Sequence, residues 1–168
     1  MSRPLPVPTL QAAFEVRVEL GAAEDHGLTG AGRRRVVPIV GGTVDGSTVD
    51  GSTVDGSTVD GGFTGRILPG GADWQLIRPD GTIEIDARCS ARSADGELLY
   101  VRATGVRAGD DAVLQALGRG EDVDPASYYF RTFLSFESAA RPELTKRLFV
   151  ASCAREAESI RYTAYRID

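Results

Sequence analysis

Polar side chains alternate with apolar ones along three segments of the chain, and these rows hold residue types that acid–base chemistry needs. The rows are Glu84, Asp86, Arg88, Ser90 and Arg92; Tyr100, Arg102 and Thr104; and Tyr129, Arg131, Ser135 and Glu137. A carboxylate accepts a proton, a tyrosine donates one, and an arginine stabilises a carboxylate or enolate oxygen. The rows therefore predict either proton-transfer catalysis or binding of an acidic ligand.

Seven residues are assigned roles on this basis. The candidate catalytic residues are Asp86, Tyr100 and Tyr129. The candidate substrate-binding residues are Trp74, Arg88, Arg102 and Arg131. Asp86 would act as the general base and a tyrosine as the proton donor. Trp74 follows a Pro-Gly-Gly turn and would form an aromatic wall at the mouth of a cavity, with a place in the core as its alternative.

The hairpin around Asp95-Gly96 decides whether the first two rows meet. With a two-residue turn, Arg88 lies opposite Ala103, and the polar row of one strand faces the apolar row of the next. With a three-residue loop, Arg88 lies opposite Arg102. We favour the longer loop because it places a continuous apolar face beside a continuous mixed face. Opposed arginines repel each other unless an anion lies between them, so this register also predicts a bound acidic ligand.

We expect Asp86, Arg88, Tyr100 and Arg102 to line one concavity. The alternative is that these rows form a solvated outer face, where charged residues usually lie. His26 is the only histidine and falls in a polar, glycine-containing loop, which argues against Ser-His-Asp, Cys-His and zinc sites. No glycine pattern matches a phosphate-binding or dinucleotide-binding motif. We therefore expect neither a metal nor a cofactor.

Most of the chain alternates with period two between turn residues, which predicts short antiparallel strands. Nine strands are predicted, at residues 14–20, 35–40, 63–68, 73–78, 82–92, 97–106, 127–138, 147–153 and 159–167. One helix is predicted after Asp110 or Asp111, ending at Gly118 or Gly120. This order indicates an all-β fold, a single antiparallel β-barrel or strongly curved sheet, in one domain of 168 residues.

Composition restricts the expected binding partners and the expected cellular location. The net charge of −5 gives the chain no general attraction to nucleic acid or to an anionic membrane. The sequence has no signal-peptide core and no run of membrane-helix length, so a cytoplasmic location is expected. Cys89 and Cys153 lie in apolar strands and are expected to be buried, reduced thiols. The expected partner is a small-molecule ligand, and a homodimer is left open.

A five-residue repeat interrupts the pattern. The unit Thr-Val-Asp-Gly begins at Thr43, Thr48, Thr53 and Thr58, with one serine between copies. It is too short and carries too little apolar surface for a stacked solenoid, and it lacks the order of known calcium-binding repeats. Removing residues 47–61 leaves an uninterrupted strand, turn and strand. We interpret residues 43–61 as a spacer inserted in a hairpin loop, with weak cation binding or an adhesive strand as alternatives.

Four stretches resemble a known family: GRRRVVPIVGGTV, GRILPGGADWQLIRPDGTIEIDAR, DGELLYVRATGVR and GEDVDPASYYFRT, which begin at Gly32, Gly65, Asp95 and Gly120. They are similar to the family called domain of unknown function 3237, or uncharacterised protein family 0311. The resemblance implies a single calycin-like or lipocalin-like barrel and no established activity. The chain departs from the family pattern at Cys89-Ser90, where Tyr-Thr is usual, and in the inserted repeat.

Three functions are compatible with these observations. The first is a cofactor-independent isomerase, cyclase or lyase acting on a small acidic or carbonyl-containing substrate. The second is a carrier that binds a small ligand without chemistry, and the third is a structural barrel whose interior is filled. The volume of the interior separates the first two from the third.

Overall fold

The computed structural model describes residues 3–46 and 62–168, which form ten strands, one α-helix and two short 3-10 helices. The strands are β1 (Leu10–Leu20), β2 (Glu24–Thr29), β3 (Gly32–Asp45), β4 (Thr64–Ile67), β5 (Gly71–Ile77), β6 (Ile83–Ser93), β7 (Leu98–Ala108), β8 (Tyr129–Glu137), β9 (Leu148–Arg155) and β10 (Ser159–Ile167). The helix α1 is Asp111–Gly118, and the 3-10 helices are Pro125–Ser127 and Pro142–Lys146.

The strands close into an antiparallel barrel with eight positions. Around the barrel the order is β1, β10, β9, β8, β7, β6, then β4 and β5 in one shared position, then β3, which pairs with β1. β4 pairs with the end of β3 and β5 with its beginning, so these two short strands lie end to end. β2 extends the sheet beyond the barrel beside β3. The predicted all-β barrel with one helix is confirmed.

Aromatic side chains fill one end of the barrel. The ring of Phe14 lies 5.2 Å from that of Phe136 and 6.2 Å from that of Phe149, measured between centroids. Phe136 and Phe149 meet edge to face at 4.9 Å, a geometry that contributes about 0.5 to 1.5 kcal/mol beyond simple burial. Phe63 is fully buried, with the Arg141 guanidinium 6.0 Å from its ring centroid. These aromatic side chains supply much of the core.

Helix α1 covers the opposite end. Leu117 is buried in the core, and a Cβ added to Gly81 in the β5–β6 turn would lie 3.3 Å from Leu114. After the helix, Gly120 packs beside Ala157 in the β9–β10 turn. The helix and the residues after it therefore lie across the end of the barrel between these two turns. No helix in the described residues is long and apolar enough to cross a membrane.

The hairpin register is the one favoured from the sequence. Arg88 pairs with Arg102, and Asp86 pairs with Thr104. Gly96 takes a φ of 88°, in the left-handed region that suits glycine, and so closes the three-residue loop between β6 and β7. The mixed rows of the two strands consequently share one face of the sheet.

β2 is the one strand that the sequence did not predict, and it contains His26, which was expected in a loop. Its only large apolar side chain, Leu28, is 85% exposed, so the segment has no alternating pattern. Polar contacts hold it instead: Asp25 accepts hydrogen bonds from the Gly27 backbone at 2.8 Å and from the Arg33 guanidinium. Hydrophobic periodicity does not reveal a strand of this kind.

The inserted repeat begins inside β3, and its residues 47–61 lie outside the described residues. On either side of them, Asp45 pairs with Thr64, and the Gly46 N–H donates to the Phe63 carbonyl at 2.9 Å. The two ends of the insertion thus meet across neighbouring strands, as expected for a hairpin connection. Whether the insertion is a spacer stays a prediction.

Deleting residues 47–61 should leave thermal stability unchanged or slightly higher. Closure entropy changes by only about 0.6 kcal/mol for each halving of a flexible loop, in the stabilising direction. Removing three of the four repeat aspartates also relieves some mutual repulsion. Thermal unfolding of the deletion variant is compared with that of a variant carrying a Gly-Ser segment of equal length. A melting temperature lower by several degrees, or a changed oligomeric state in size exclusion, would contradict the spacer interpretation.

Candidate functional site

The predicted polar cluster forms, but on the outside of the barrel. Asp86 accepts hydrogen bonds from Arg88 Nη2 at 3.1 Å and from Arg102 Nε at 3.2 Å. Both arginine side chains are 46% exposed. The opposite row of β6, which includes Ile83 and Ile85, is buried in the core. The structure thus corrects the expected concavity, because closing the sheet turns the apolar row inward and the mixed row toward solvent.

The other predicted residues also point outward. Trp74 is 39% exposed, and the Arg88 guanidinium lies 5.6 Å from its ring centroid. Tyr100 borders an open groove on the outer surface. Tyr129 is exposed on β8, where the Arg131 guanidinium lies 5.4 Å from its ring. Trp74, Asp86, Arg88 and Arg102 are called the outer cluster below. The binding and catalytic roles assigned to these residues stay predictions.

Asp86 is a weak base in this setting. Partial burial alone would raise its pKa, but the hydrogen bonds from Arg102 and Arg88 outweigh that effect and the net pKa of Asp86 is lowered. A carboxylate stabilised in its ionised form takes up a proton less readily. The electrostatics of the outer cluster therefore favour a structural ion pair over a general base.

A second set of polar side chains points into the barrel at the end that α1 covers. This interior cluster comprises Arg35 on β3, Asp73 and Gln75 on β5, Arg107 on β7 and Arg155 on β9. Asp73, Gln75 and Arg107 are at most 4% exposed, and the other two are half-buried. Buried charged groups are rare in proteins unless they are paired or functional, so this cluster is the stronger candidate site.

Hydrogen bonds fix one side of the interior cluster. Arg35 donates from Nε and Nη2 to Gln75 Oε1, at 3.0 and 2.6 Å. The amide of Gln75 donates in turn to Asp73 Oδ2 at 2.6 Å. The backbone N–H of Asp86 donates to the other carboxylate oxygen, Oδ1, at 3.1 Å. Asp73 is therefore held in a single orientation by partners from its own strand and from the neighbouring one.

Burial sets the proton affinity of Asp73. Removal from water raises the pKa of this carboxyl, and the hydrogen bonds from Gln75 and from the Asp86 backbone only partly oppose the rise. A carboxyl whose pKa is shifted toward neutrality exchanges protons more effectively than one at its ordinary value. Asp73 thus has the property expected of a general base, which Asp86 lacks.

Arg107 lies on β7, two strands away from Asp73 on β5, and two of its nitrogens lack hydrogen-bond partners. Its guanidinium is 5.5 Å from the ring centroid of Phe130, and its Nε and Nη1 are buried without a hydrogen bond in the described structure. Each unsatisfied buried donor costs about 1 to 3 kcal/mol. Burial and the neighbouring charges of Arg35 and Arg155 lower the pKa of Arg107 to about 10, so it stays charged at neutral pH.

A small cavity of about 50 Å³ adjoins Asp73 inside the barrel. Phe130, Thr132, Cys153 and Tyr162 are among the side chains that line it, and most of its wall is apolar. A water molecule in the liquid occupies about 30 Å³, so the cavity admits one or two waters or a few carbon atoms. This cavity thus places a small free space next to the buried carboxylate.

The two cysteines also line this cavity and are unpaired. Cys153 is buried as expected, whereas Cys89 is half-buried. Burial raises the pKa of both thiols to about 11, so neither forms a reactive thiolate at neutral pH. In residues 3–46 and 62–168, no three histidine, cysteine, aspartate or glutamate side chains are grouped so as to hold a metal ion.

One feature of the sequence points to the interior cluster. Arg107 has the same parity on β7 as Leu99, Val101 and Ala103, so it is a charge in an otherwise apolar row. The corresponding signal is weak on β5, where Trp74 faces outward and Asp73 inward. A charge at a core-facing position is a more specific indication of a site than a row of charges on a mixed face.

Comparisons with known proteins place the chain in a family. Residues 8–167 match the family model described as protein of unknown function (DUF3237). A UPF0311 protein of Bradyrhizobium diazoefficiens is 38% identical over 157 residues, covering 91% of this chain and 93% of that protein.

Two solved structures share the barrel. The crystal structure of a beta-barrel like protein from Acinetobacter baumannii superposes with a TM-score of 0.77 at 33% identity, covering 99% of this chain and 100% of the other. An enzyme from Penicillium herquei superposes with a TM-score of 0.64 at 18% identity, covering 100% and 99%, a likeness of fold alone. Because the family model spans nearly the whole described barrel, the chain belongs to the DUF3237 family of proteins of unknown function.

Proposed function

We propose that the barrel binds a small carboxylic or carbonyl-containing acid at the interior cluster and transfers a proton on a carbon atom of that ligand without a cofactor. The observation that carries this proposal is Arg107, a buried cation with two unpartnered nitrogens in the same interior cluster as the buried carboxyl of Asp73. Removing a charge from water is costly unless something pairs with it, and an anionic ligand would supply the missing partner.

The chemistry follows from the Asp73 carboxyl and the Arg107 guanidinium, whose charges influence each other. With Asp73 ionised, its carboxylate takes a proton from the carbon next to a substrate carbonyl. The electrons of the broken C–H bond form the enolate double bond, and the negative charge moves to the oxygen, where Arg107 stabilises it. Asp73, now protonated, returns the proton to another carbon or to the same one. Isomerases, cyclases and lyases that act beside a carbonyl share this step.

The nearby groups support these roles. Gln75 and the Asp86 backbone hold the Asp73 carboxylate in place, as a base requires. The Tyr128 hydroxyl accepts the Arg155 backbone N–H at 2.9 Å, which leaves its own proton available for donation. Tyr128 takes the proton-donor role first assigned to Tyr100 or Tyr129. The cavity beside Asp73 limits the carbon part of the ligand to a few atoms.

Arg107→Met should abolish binding of small carboxylates without destabilising the free protein. Replacing an unsatisfied buried cation by an apolar side chain is often neutral or stabilising, whereas loss of charged hydrogen bonds to a ligand costs about 1.5 to 3 kcal/mol each. Acetate, propionate and 2-oxobutanoate are titrated by calorimetry, and thermal unfolding is recorded without ligand. The matched control is Arg88→Met, which removes an arginine of the outer cluster.

The two variants also decide between the two clusters. If the interior cluster binds the acid, Arg88→Met keeps wild-type affinity. If Arg88→Met loses binding and Arg107→Met retains it, the outer cluster is the site, as first predicted from the sequence. Absence of binding by the wild-type protein would favour a filled structural barrel.

Asp73→Asn should stop proton exchange while leaving ligand binding largely intact. Proton transfer by a positioned base contributes about 100-fold or more to rate. Incorporation of deuterium at carbon 3 of 2-oxobutanoate is followed by proton NMR in D₂O, with the rate without protein as reference. Exchange by the wild-type protein, its loss in Asp73→Asn and its retention in Asp86→Asn are expected. Binding without exchange by the wild-type protein would indicate a carrier.

The raised pKa of Asp73 predicts a distinct pH dependence of stability. In the folded protein the carboxyl keeps its proton above its ordinary pKa of 3.8, so its contribution is full below that value and is lost as the pH rises through the folded pKa. The free energy of unfolding of the wild type, relative to Asp73→Asn, should therefore fall as the pH rises above the ordinary pKa of 3.8.

Asp86→Asn provides the opposite control for this experiment. The pKa of Asp86 is lowered, so its stabilising contribution is present above its ordinary pKa of 3.8 and is lost as the pH falls through the folded value. Denaturant unfolding at several pH values measures both differences. A flat difference for Asp73→Asn would show that its carboxyl is not desolvated in solution.

A further inference from the structure

The two unpartnered nitrogens of Arg107 lie on different edges of its guanidinium. In this planar group Nη1 is on the same side as Cδ, so the Nε–H is parallel to an N–H of Nη2 and not to one of Nη1. A carboxylate that accepts two parallel hydrogen bonds engages Nε with Nη2, or Nη1 with Nη2. One carboxylate therefore cannot pair with both Nε and Nη1, the two donors buried without a partner. Two separate acceptor groups are required.

The surroundings of Arg107 are mostly positive. The charges of Arg35 and Arg155 lower the pKa of Arg107, and the carboxylate of Asp73 only partly offsets this effect. An anionic group beside Arg107 would therefore be stabilised by more than one cation.

Nearby acidic residues are already engaged outside the cluster. Asp25 pairs with Arg33, and Glu156 accepts contacts from Arg17 at 2.7 Å and from Arg161 at 3.1 Å. Their charges still act on the interior arginines, because Asp25 partly opposes the lowering of the Arg35 pKa and Glu156 that of the Arg155 pKa. Neither carboxylate makes a hydrogen bond to Arg107, whose Nε and Nη1 have no partner.

Arg155 is also held in place for an anion. Its Nη1 donates to the backbone carbonyl of Ser159 at 3.0 Å and to that of Glu156. Carbonyl oxygens satisfy hydrogen-bond donors without cancelling a full positive charge. Arg35 is fixed in the same way by the neutral amide of Gln75. Two arginines are thereby oriented by uncharged partners beside a third that has unpartnered nitrogens.

We infer that the natural ligand is a small dianion with two separate carboxylate groups, held on two edges of the Arg107 guanidinium and flanked by Arg35 and Arg155. This inference rests on the proposed function and specifies its substrate class. A dicarboxylate supplies both acceptor groups, and its negative charge suits the two cations beside Arg107, whereas a simple monocarboxylate supplies one acceptor group. The cavity of about 50 Å³ next to Asp73 is lined by Phe130, whose ring centroid lies 5.5 Å from the Arg107 guanidinium, so a short carbon chain suits it.

The test compares each dicarboxylate with its own monoamide. Malonate, succinate and glutarate are titrated into the wild-type protein by calorimetry at constant ionic strength, each against the monoamide of equal size that carries one charge less. The dicarboxylate of best-fitting length should bind about tenfold more tightly than its monoamide, or better, since a charged hydrogen bond contributes about 1.5 to 3 kcal/mol. Affinities within twofold of each other would overturn the inference while leaving the proposed function standing.

Sulfate separates charge from geometry. It carries two charges on a single group, so it should bind more weakly than the best dicarboxylate. Sulfate binding as tightly as that dicarboxylate would overturn the requirement for two groups. If the wild-type protein bound no carboxylate at all, the inference and the proposed function would both fail.

Two variants locate the second charge. Arg35→Met and Arg155→Met should each reduce the preference for the dicarboxylate over its monoamide, whereas Arg88→Met should leave that preference unchanged. Circular dichroism tests whether each variant is folded. If a variant is not folded, the comparison of dicarboxylate with monoamide in the wild-type protein still tests the inference. A preference that survives in both variants would overturn the assignment of these arginines.

Discussion

Closure of the sheet between β1 and β3 determines the environment of every side chain in the barrel. An open sheet can bury one face and leave the other in water without specifying which polar residues are trapped. A closed barrel of eight positions instead encloses one of the two alternating rows of every strand, in an interior just wide enough for side chains to fill. A polar residue with inward parity is then buried and must find a partner within the barrel.

The two ends of the barrel meet this constraint differently. At the aromatic end, Phe14, Phe136 and Phe149 pack against one another, which buries apolar surface and leaves no donor unsatisfied. At the end under α1, inward positions hold Asp73 and Arg107, and the second of these remains without partners at Nε and Nη1. Aromatic packing offsets the cost of desolvating charge at the other end. Such a division is typical of proteins that hold a strained site within a stable scaffold.

Local patterns predicted most of the strands and even a register. The pairing of Arg88 with Arg102 follows from the glycine turn between their strands, since neighbouring residues determine both the turn and the strand register. Which row of side chains faces the barrel interior is not determined by neighbouring residues in the sequence. The residue types of the mixed row of β6 predict an active site, but the row containing Ile83 and Ile85 loses more free energy by exposure to water and therefore takes the interior.

The interior cluster escaped prediction for a related reason. On β5 the outward row contains Trp74 and Leu76. Alternation of hydrophobicity therefore predicts that Asp73 and Gln75 face solvent, whereas they face the interior. Convergence of β3, β5, β7 and β9 on one end of the barrel also depends on the order of the strands around it, which no single segment encodes. β2 was missed because polar contacts, not burial, hold it against β3.

Because the protein is negatively charged overall, binding of an anion depends on the local environment of each cluster. A chain of net charge −5 exerts no long-range attraction on an anion, and screening limits exposed charges to about 8 Å at physiological salt. At the outer cluster an incoming anion must compete with Asp86 for arginines that are half in water, where ion pairs contribute about 0 to 1 kcal/mol. At the interior cluster the buried nitrogens of Arg107 have no partner to give up, and low polarity strengthens whatever contact they make. Discrimination between ligands is therefore expected inside the barrel, where a misplaced or missing acceptor leaves a buried charge unpaired.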